Sequence, residues 1–444
     1  MEAVGSYERL SALADDLRTG EVELLTYIDQ LETRFAEWEP VVHAFVEEEG
    51  RFDRLRRQAA ELLERHPEPG KRPPLFGVPI GVKDIIRVDG FETRAGMSVE
   101  GEALQGPEAD CVSRLKGSGA LVLGKTVTTA FAYFAPGPTR NPHSPDHTPG
   151  GSSSGSGASV AAGLCPLALG TQTIGSVLRP AAFCGVVGFK PSYGRISRAG
   201  VIPLAPSVDH VGVLTTDVES AALAASRLCY SWHDRPVGSR PILAVPEGPY
   251  LAEVDPVGEE HLAAVVAHLQ QAGLEVRYLP AFADYDAIWP NHDVIVAAEA
   301  ARVHAAWFDA FEDAYDPKLL KLIRRGRTIS EDELMRALDS RWVVRAELTE
   351  IMDRHGVDMW LAPSAPGPAP RGLGSTGNPV MNLPWTHSGL PALTLPAGVD
   401  ADGLPLGVQL AGRWFHDETL LSQALEVERA LADVQGESLI KRRG

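Results

Sequence analysis

Three residues of this chain, Lys83, Ser152 and Ser176, are of the types that can make a serine reactive without a histidine. A serine hydroxyl attacks poorly unless a neighbouring base takes its proton as it does so. Lysine is such a base only when neutral, and desolvation lowers a lysine pKa towards the working pH. Lys83 follows the apolar run Leu75-Phe76-Gly77-Val78-Pro79-Ile80-Gly81-Val82, the setting of a buried strand end. The plainer reading of a lysine there is a buried stem whose head snorkels to water or pairs with an acid, and Asp84 is the neighbour in sequence that fits.

Ser152 belongs to Thr148-Pro149-Gly150-Gly151-Ser152-Ser153-Ser154-Gly155-Ser156-Gly157-Ala158. Its glycines open backbone conformations closed to other residues, and its hydroxyls can relay protons. A flexible loop would have the same composition. The small, helix-compatible continuation Ala158-Ser159-Val160-Ala161-Ala162-Gly163 predicts instead a loop packed onto a buried helix. Ser176 ends the stretch Gly170-Thr171-Gln172-Thr173-Ile174-Gly175-Ser176, which follows the apolar Pro166-Leu167-Ala168-Leu169. A strand leading into a glycine turn can aim backbone N–H groups at a developing oxyanion.

Taken together, these segments resemble the amidase signature family. The resemblance runs from Gly77-Val78-Pro79 through 170–176 and Phe183-Cys184-Gly185-Val186-Val187-Gly188-Phe189-Lys190-Pro191 to about Val213, and resumes over 378–398 and 404–412. It implies an α/β fold with a large mixed β-sheet flanked by helices on both faces. It also implies Ser176 as nucleophile, Ser152 as a bridging serine held through a cis peptide, and Lys83 as terminal base. The backbone amides of Thr173, Ile174, Gly175 and Ser176 would form the oxyanion hole, and neither metal nor cofactor is implied.

Three departures from the commonest family pattern bear on specificity. Gln172 stands where many members carry aspartate, and an uncharged amide can still hold the loop by hydrogen bonds. Ile174 replaces a common glycine and sets a β-branched side chain near the acyl site, which should restrict substrates. Arg179 lies three residues after the nucleophile rather than two. Gln172 with Arg179 resembles the subgroup of malonamidases and carboxybiuret or allophanate hydrolases, in which an arginine at this position meets a substrate carboxylate. Both residues are therefore candidates for substrate binding, and the planar fork of arginine pairs bidentately with carboxylate. The alternative for Arg179 is a structural ion pair.

Other motifs carry less. Gly151-Ser152-Ser153-Ser154-Gly155 satisfies G-x-S-x-G, but a nucleophile elbow needs a hydrophobic strand before it. The approach here, Asn141-Pro142-His143-Ser144-Pro145-Asp146-His147-Thr148-Pro149, is turn chemistry. His143 and His147 flank Asp146 without the cysteine or acid cluster that would complete a metal site, and read as loop surface. His304 and His387 are isolated histidines that ordinary polar contacts explain. Three function classes follow: an amidohydrolase that releases ammonia or an amine, the glutaminase component of a transamidation complex, and a non-catalytic scaffold. Ser192-Tyr193-Gly194-Arg195-Ile196-Ser197-Arg198 resembles the second superficially, while Gln172 and the displaced Arg179 oppose it. A scaffold has no evident need for a buried lysine beside two serines.

The chain of 444 residues, 44% hydrophobic, can bury a large core. Length alone allows two or three domains. The resemblance favours one large domain, 67–444, with 1–66 as a helical segment packed on its core. A net charge of −18 favours solubility and opposes binding to nucleic acid or anionic membrane, and the partner that the resemblance implies is a small-molecule amide. Monomer and homodimer both stay open. Cys111, Cys165, Cys184 and Cys229 read as buried free thiols of a reducing compartment, the cytoplasm. Met1-Glu2-Ala3-Val4-Gly5 lacks the basic and apolar regions of a secretory signal, and no apolar stretch reaches the length of a transmembrane helix.

The elements that must position these residues are legible in outline. Leu10, Leu13, Leu17, Leu24, Leu25, Ile28 and Leu31 recur at helical spacing within 6–66. Between 75 and 230, short apolar runs alternate with small-residue helices, as in a helix over 111–116 followed by a strand over 120–123. Pro241-Ile242-Leu243-Ala244-Val245 reads as a strand, Asp255-Pro256 starts a helix that ends near Gly273, and 274–279 completes a β-α-β unit. Residues 284–350 are mainly helical, with Arg324-Arg325-Gly326-Arg327 in a solvated turn. The proline- and glycine-rich loop 363–376 should border a pocket before 378–396 and 404–410 return to the core. A helix from about Asp417 to Val434 should close the fold.

Overall fold

The computed structural model describes residues 9–97, 104–236, 240–308 and 312–433. Ten strands form one mixed sheet: β1 (Pro79–Lys83), β2 (Leu121–Thr126), β3 (Leu167–Gln172), β4 (Val187–Lys190), β5 (His210–Thr215), β6 (Ile242–Glu247), β7 (Glu275–Pro280), β8 (Met359–Pro363), β9 (Ala392–Val399) and β10 (Pro405–Ala411). Their order across the sheet is β2-β1-β3-β5-β4-β9-β10-β8-β6-β7. Every residue of β1, β2 and β3 is buried, which is why their sequences read as near-continuous apolar runs without alternation. These three strands run parallel, with Val82 of β1 opposite Leu169 of β3. Their C-terminal ends therefore open on the same edge of the sheet, and Lys83 and the 170–176 turn are delivered to one place.

The flanking helices follow the expected pattern. The helices α1 (Leu10–Thr19), α2 (Leu24–Val42) and α3 (Arg51–Arg65) bury Leu10, Leu13, Leu17, Leu24, Ile28, Leu31 and Leu55. These side chains share one apolar cluster with Ile80, Leu121, Val213, Leu262 and Leu410. The helix α4 (Asp110–Gly117) precedes β2, and the helix Pro256–Gln271 joins the parallel pair β6 and β7. Residues 284–350 form the helices Tyr285–Val303, Pro317–Gly326 and much of Glu331–His355. Arg324 and Arg325 end the second of these rather than forming a turn of their own, and pair with Glu312 and Asp293. Cations suit that position because a helix C-terminus carries partial negative charge. The last helix spans Asp417–Asp433, and Val434 lies outside the described residues.

The four cysteines are free and buried. Among the described residues no helix is long and apolar enough to cross a membrane.

Candidate active site

Lys83 is fully buried at the end of β1. Its Nζ stands 2.8 Å from Ser152 Oγ and 2.7 Å from Thr171 Oγ1. Burial holds the amine well below the usual lysine range, and the Asp209 carboxylate only partly opposes this. The expected partner Asp84 is turned elsewhere: its carboxylate lies 3.0 Å from Lys125 Nζ and accepts from the Arg94 N–H. β1 ends at Lys83, and Asp84 stands in the turn that follows, facing Lys125 of β2.

Ser152 is buried beyond a cis Gly151–Ser152 peptide bond. The loop that carries it is held rigidly by the helix that follows, α5 (Ser154–Ala161), whose eight residues are all buried. A Cβ on Gly155 would lie 2.1 Å from the Ala44 carbonyl oxygen and 2.4 Å from the Val127 nitrogen, so this helix approaches the neighbouring backbone as only glycine allows. Ser156 Oγ donates to the Leu169 carbonyl and meets Thr126 Oγ1 at 2.8 Å, stitching the helix to β3 and β2.

The turn after β3 has each of its carbonyls tied down. Gln172 O faces His210 Nδ1 at 3.3 Å, and Thr173 O faces His292 Nε2 at 3.0 Å. Ile174 O accepts from Thr386 Oγ1 at 2.5 Å, Gly175 O from the Arg179 N–H, and Ser176 O from the Ser153 N–H. No described residue accepts from the N–H groups of Thr173, Ile174, Gly175 and Ser176. Gln172 itself is fully buried and spends its amide inside the protein. Its Oε1 accepts from the Val177 and Leu178 N–H groups, and its Nε2 donates to Thr386 Oγ1 at 2.9 Å. That placement makes it a brace of the turn rather than a group facing a substrate. Thr173 Oγ1 donates to Asp209, whose carboxyl burial pushes up to about 6.

Gly175 is fixed by a close approach. A Cβ there would lie 2.4 Å from Asn382 Oδ1 and 3.1 Å from Pro379 Cβ. Gly175→Ala should shift the turn and lower kcat by about 100-fold, as small misplacements of reacting groups do. Steady-state kinetics on the folded variant check this, and an unchanged kcat would mean that the turn tolerates a side chain.

Arg179 lies in α6 (Leu178–Cys184) with 2% exposure. Its Nη2 donates to the Gly151 carbonyl at 2.7 Å and to Thr376 Oγ1 at 3.1 Å. Its Nε and Nη1 are buried with no hydrogen-bond partner, and no carboxylate pairs with it among the described residues. Uncompensated burial pulls the guanidinium down to about 9, still protonated at neutral pH. Arg179 lines a narrow cleft together with Ser152, Ser176 and Ile174. Thr376, from the loop expected to border a pocket, supplies part of its surroundings.

The same cleft is lined by Ala132, Tyr133 and Phe134, which sequence reasoning missed. Phe131 and Ala132 have φ of 46° and 59°, a left-handed conformation that non-glycine residues rarely adopt. Nothing in their side-chain types announces it. Also missed were His292, Thr386 and Asn382, which meet the turn from far along the chain. His387, expected to be ordinary, faces His292 Nδ1 at 3.2 Å and is one step from the turn. His304 is ordinary, with Nδ1 2.8 Å from Tyr315 Oη. His143 and His147 lie half-buried in their loop, against the Cys184 carbonyl and the Ser144 hydroxyl. Among the described residues, no group of three or more His, Cys, Asp or Glu side chains could hold a metal.

The Amidase family model matches residues 27–421. A glutamyl-tRNA(Gln) amidotransferase subunit from Synechococcus sp. (strain WH7803) is 32% identical over 473 residues, covering 94% of this chain and 96% of that protein. An amidase crystal structure superposes with a TM-score of 0.84 at 30% identity, over 94% of this chain and 99% of the other. A chain from a vestigial protein complex bearing on the origins of an s-triazine catabolic enzyme gives 0.85 at 26% identity, over 98% and 100%. The protein therefore belongs to the amidase signature family.

Proposed function

We propose that the chain hydrolyses a small amide through an acyl-enzyme on Ser176, with Ser152 and Lys83 as its proton relay. The observation that carries this reading is a buried lysine, held below its usual range, 2.8 Å from a serine that lines the same cleft as Ser176. In this mechanism Ser176 Oγ bonds to the amide carbonyl carbon while its proton passes to Ser152 and that of Ser152 to Lys83. The N–H groups of Thr173, Ile174, Gly175 and Ser176 receive the oxyanion. Collapse breaks the C–N bond, the leaving nitrogen takes up the proton, and ammonia or an amine departs. Water then attacks the ester by the same route and frees the acid and Ser176. A fluorophosphonate should add its phosphonyl group, the reagent less HF, to Ser176 alone, and a wild-type protein that stays unlabelled would sink the proposal and favour a scaffold.

The substrate we propose is a compact amide with a carboxylate near the scissile carbonyl, of the malonamate or carboxyurea kind. Arg179 supports it: a buried guanidinium with two unclaimed nitrogens lines the cleft beside Ser176. Ile174 limits the bulk that fits there. Arg179→Ala should lower kcat/KM for a half-amide about 100-fold, the scale of truncating one partner of a buried charge pair. Its effect on the neutral diamide should be small, and Arg179→Lys should fall between, because a point charge does not reproduce the fork. Equal losses on both substrates would assign Arg179 to the fold instead.

A glutaminase role is the second reading, favoured by the likeness to the amidotransferase component. Ammonia release from glutamine only on addition of partner proteins would establish it. We place the enzyme in the cytoplasm, a reading supported by the four free, buried thiols.

A further inference from the structure

We propose that His292 is a positioning residue for the oxyanion turn, and that His387 and Ser340 fix the tautomer it needs. The inference rests on the reading of Ser176 as nucleophile and adds to it how the turn is aimed. A peptide unit is planar and trans, so anchoring a carbonyl in one direction points the N–H of the next residue in the other. His292 Nε2 anchors Thr173 O at 3.0 Å, which sets the direction of the Ile174 N–H. Thr386 does the same for the Gly175 N–H through the Ile174 carbonyl, and the Arg179 N–H for that of Ser176 through the Gly175 carbonyl. Of these three anchors, only the imidazole can lose its donor through a change of tautomer.

A carbonyl only accepts, so the His292 proton must sit on Nε2, leaving Nδ1 of the neutral ring as acceptor. The group facing it is His387 Nδ1 at 3.2 Å, which must therefore carry its proton there. His387 Nε2 then accepts, and Ser340 Oγ stands 2.9 Å from it. The Ser340 hydroxyl has one proton and two acceptors in reach, the Ala337 carbonyl at 2.7 Å and His387 Nε2, and the row requires that proton to face His387. Ser340 is half-exposed on the helix Glu331–His355, whereas both rings are buried. Burial and the nearby Arg341 guanidinium disfavour a second proton on either ring, pulling His292 down to about 3. One directed row of hydrogen bonds thus runs from a helix near the surface to the backbone beside the nucleophile.

The test uses the full chain and a fluorophosphonate, whose phosphoryl oxygen occupies the place of the oxyanion. In that reaction Ser176 Oγ bonds to phosphorus, fluoride leaves, and the serine proton enters the relay. Saturating rate and half-saturation concentration are measured separately for four variants. His292→Phe keeps the ring and removes the donor, and should slow the saturating rate by about 10- to 100-fold with half-saturation unchanged. His292→Gln carries an amide N–H at a comparable reach and should recover to within about threefold of wild type. Ser340→Ala, in the half-exposed position, should slow the reaction a few-fold. Ser176→Ala should not be labelled; labelling of that variant overturns the nucleophile assignment, a result distinct from failure of this inference. Wild-type rates in folded His292→Phe, or equal losses in the Gln and Phe variants, would overturn the role of His292. If His292→Phe does not fold, the other two variants decide: wild-type rates in Ser340→Ala, or a slow His292→Gln, count against the proposal. A slowed Ser340→Ala beside a near-normal His292→Gln supports it.

Discussion

Ser176→Ala is expected to lower kcat by about 10⁴- to 10⁶-fold, to the residual rate that binding and an oxyanion site sustain without a nucleophile. The substitution removes one oxygen from a residue only 8% exposed, so folding should be little altered. Adding Lys83→Ala or Ser152→Ala to it should cost almost nothing more, because a relay with no nucleophile has nothing to deprotonate. Single-turnover kinetics on the single, double and triple variants provide the comparison. Losses that multiply across the three would mean that they act independently and that the relay is wrongly drawn.

Lys83→Met should have the second largest effect, a fall in kcat of about 10³- to 10⁵-fold, and should also make the protein more stable. Unfolded, the lysine takes up its proton near pH 10.4; in the fold, burial holds it well below that. Across the interval between these values the unfolded state binds more protons, so stability rises with pH and is lower at neutrality than at high pH. Methionine carries no such dependence. The variant should melt a few degrees above the parent at pH 7, with the gap closing as pH approaches 10. In the active enzyme, kcat/KM should fall on the acid side as Lys83 becomes protonated. An unchanged melting temperature together with an unchanged acid limb would contradict a neutral buried lysine at position 83.

Lys83, Ser152 and Ser176 stand out in the sequence through the short stretches that carry them, an apolar run, a serine-glycine turn before a small-residue helix and a strand entering a glycine turn, and through the family resemblance that these stretches make together. The β-α-β unit over β6 and β7 was legible from local stretches too. Asp84, the acid that a structural reading of Lys83 offered as its partner, pairs instead with Lys125 from β2, a neighbour that the local sequence does not reveal. Gln172, a candidate for substrate binding whose amide was also expected to hold the loop by hydrogen bonds, has both ends of that amide on the turn. The partners of that turn left no local signal. Thr386 and His292 lie in helices whose sequences show ordinary packing, and only the way the sheet closes brings them to it. Ala132 was hidden in another way, since its contribution is a backbone conformation rather than a side chain.

The separation of those partners along the chain has a consequence for how the protein comes to life during synthesis. Lys83 reaches Ser152 across 69 positions and Thr171 across 88, whereas the turn is braced across 119 positions by His292 and 212 by Thr386. Contacts so far apart in sequence are late to form, because the loop between them must close first. A nascent chain that has emerged only through β5 already holds Lys83, Ser152 and Ser176 but lacks the struts that brace the turn. On the mechanism proposed above, reactivity arrives with completion of the fold, and a partly made or stalled chain carries the serines without the power to use them.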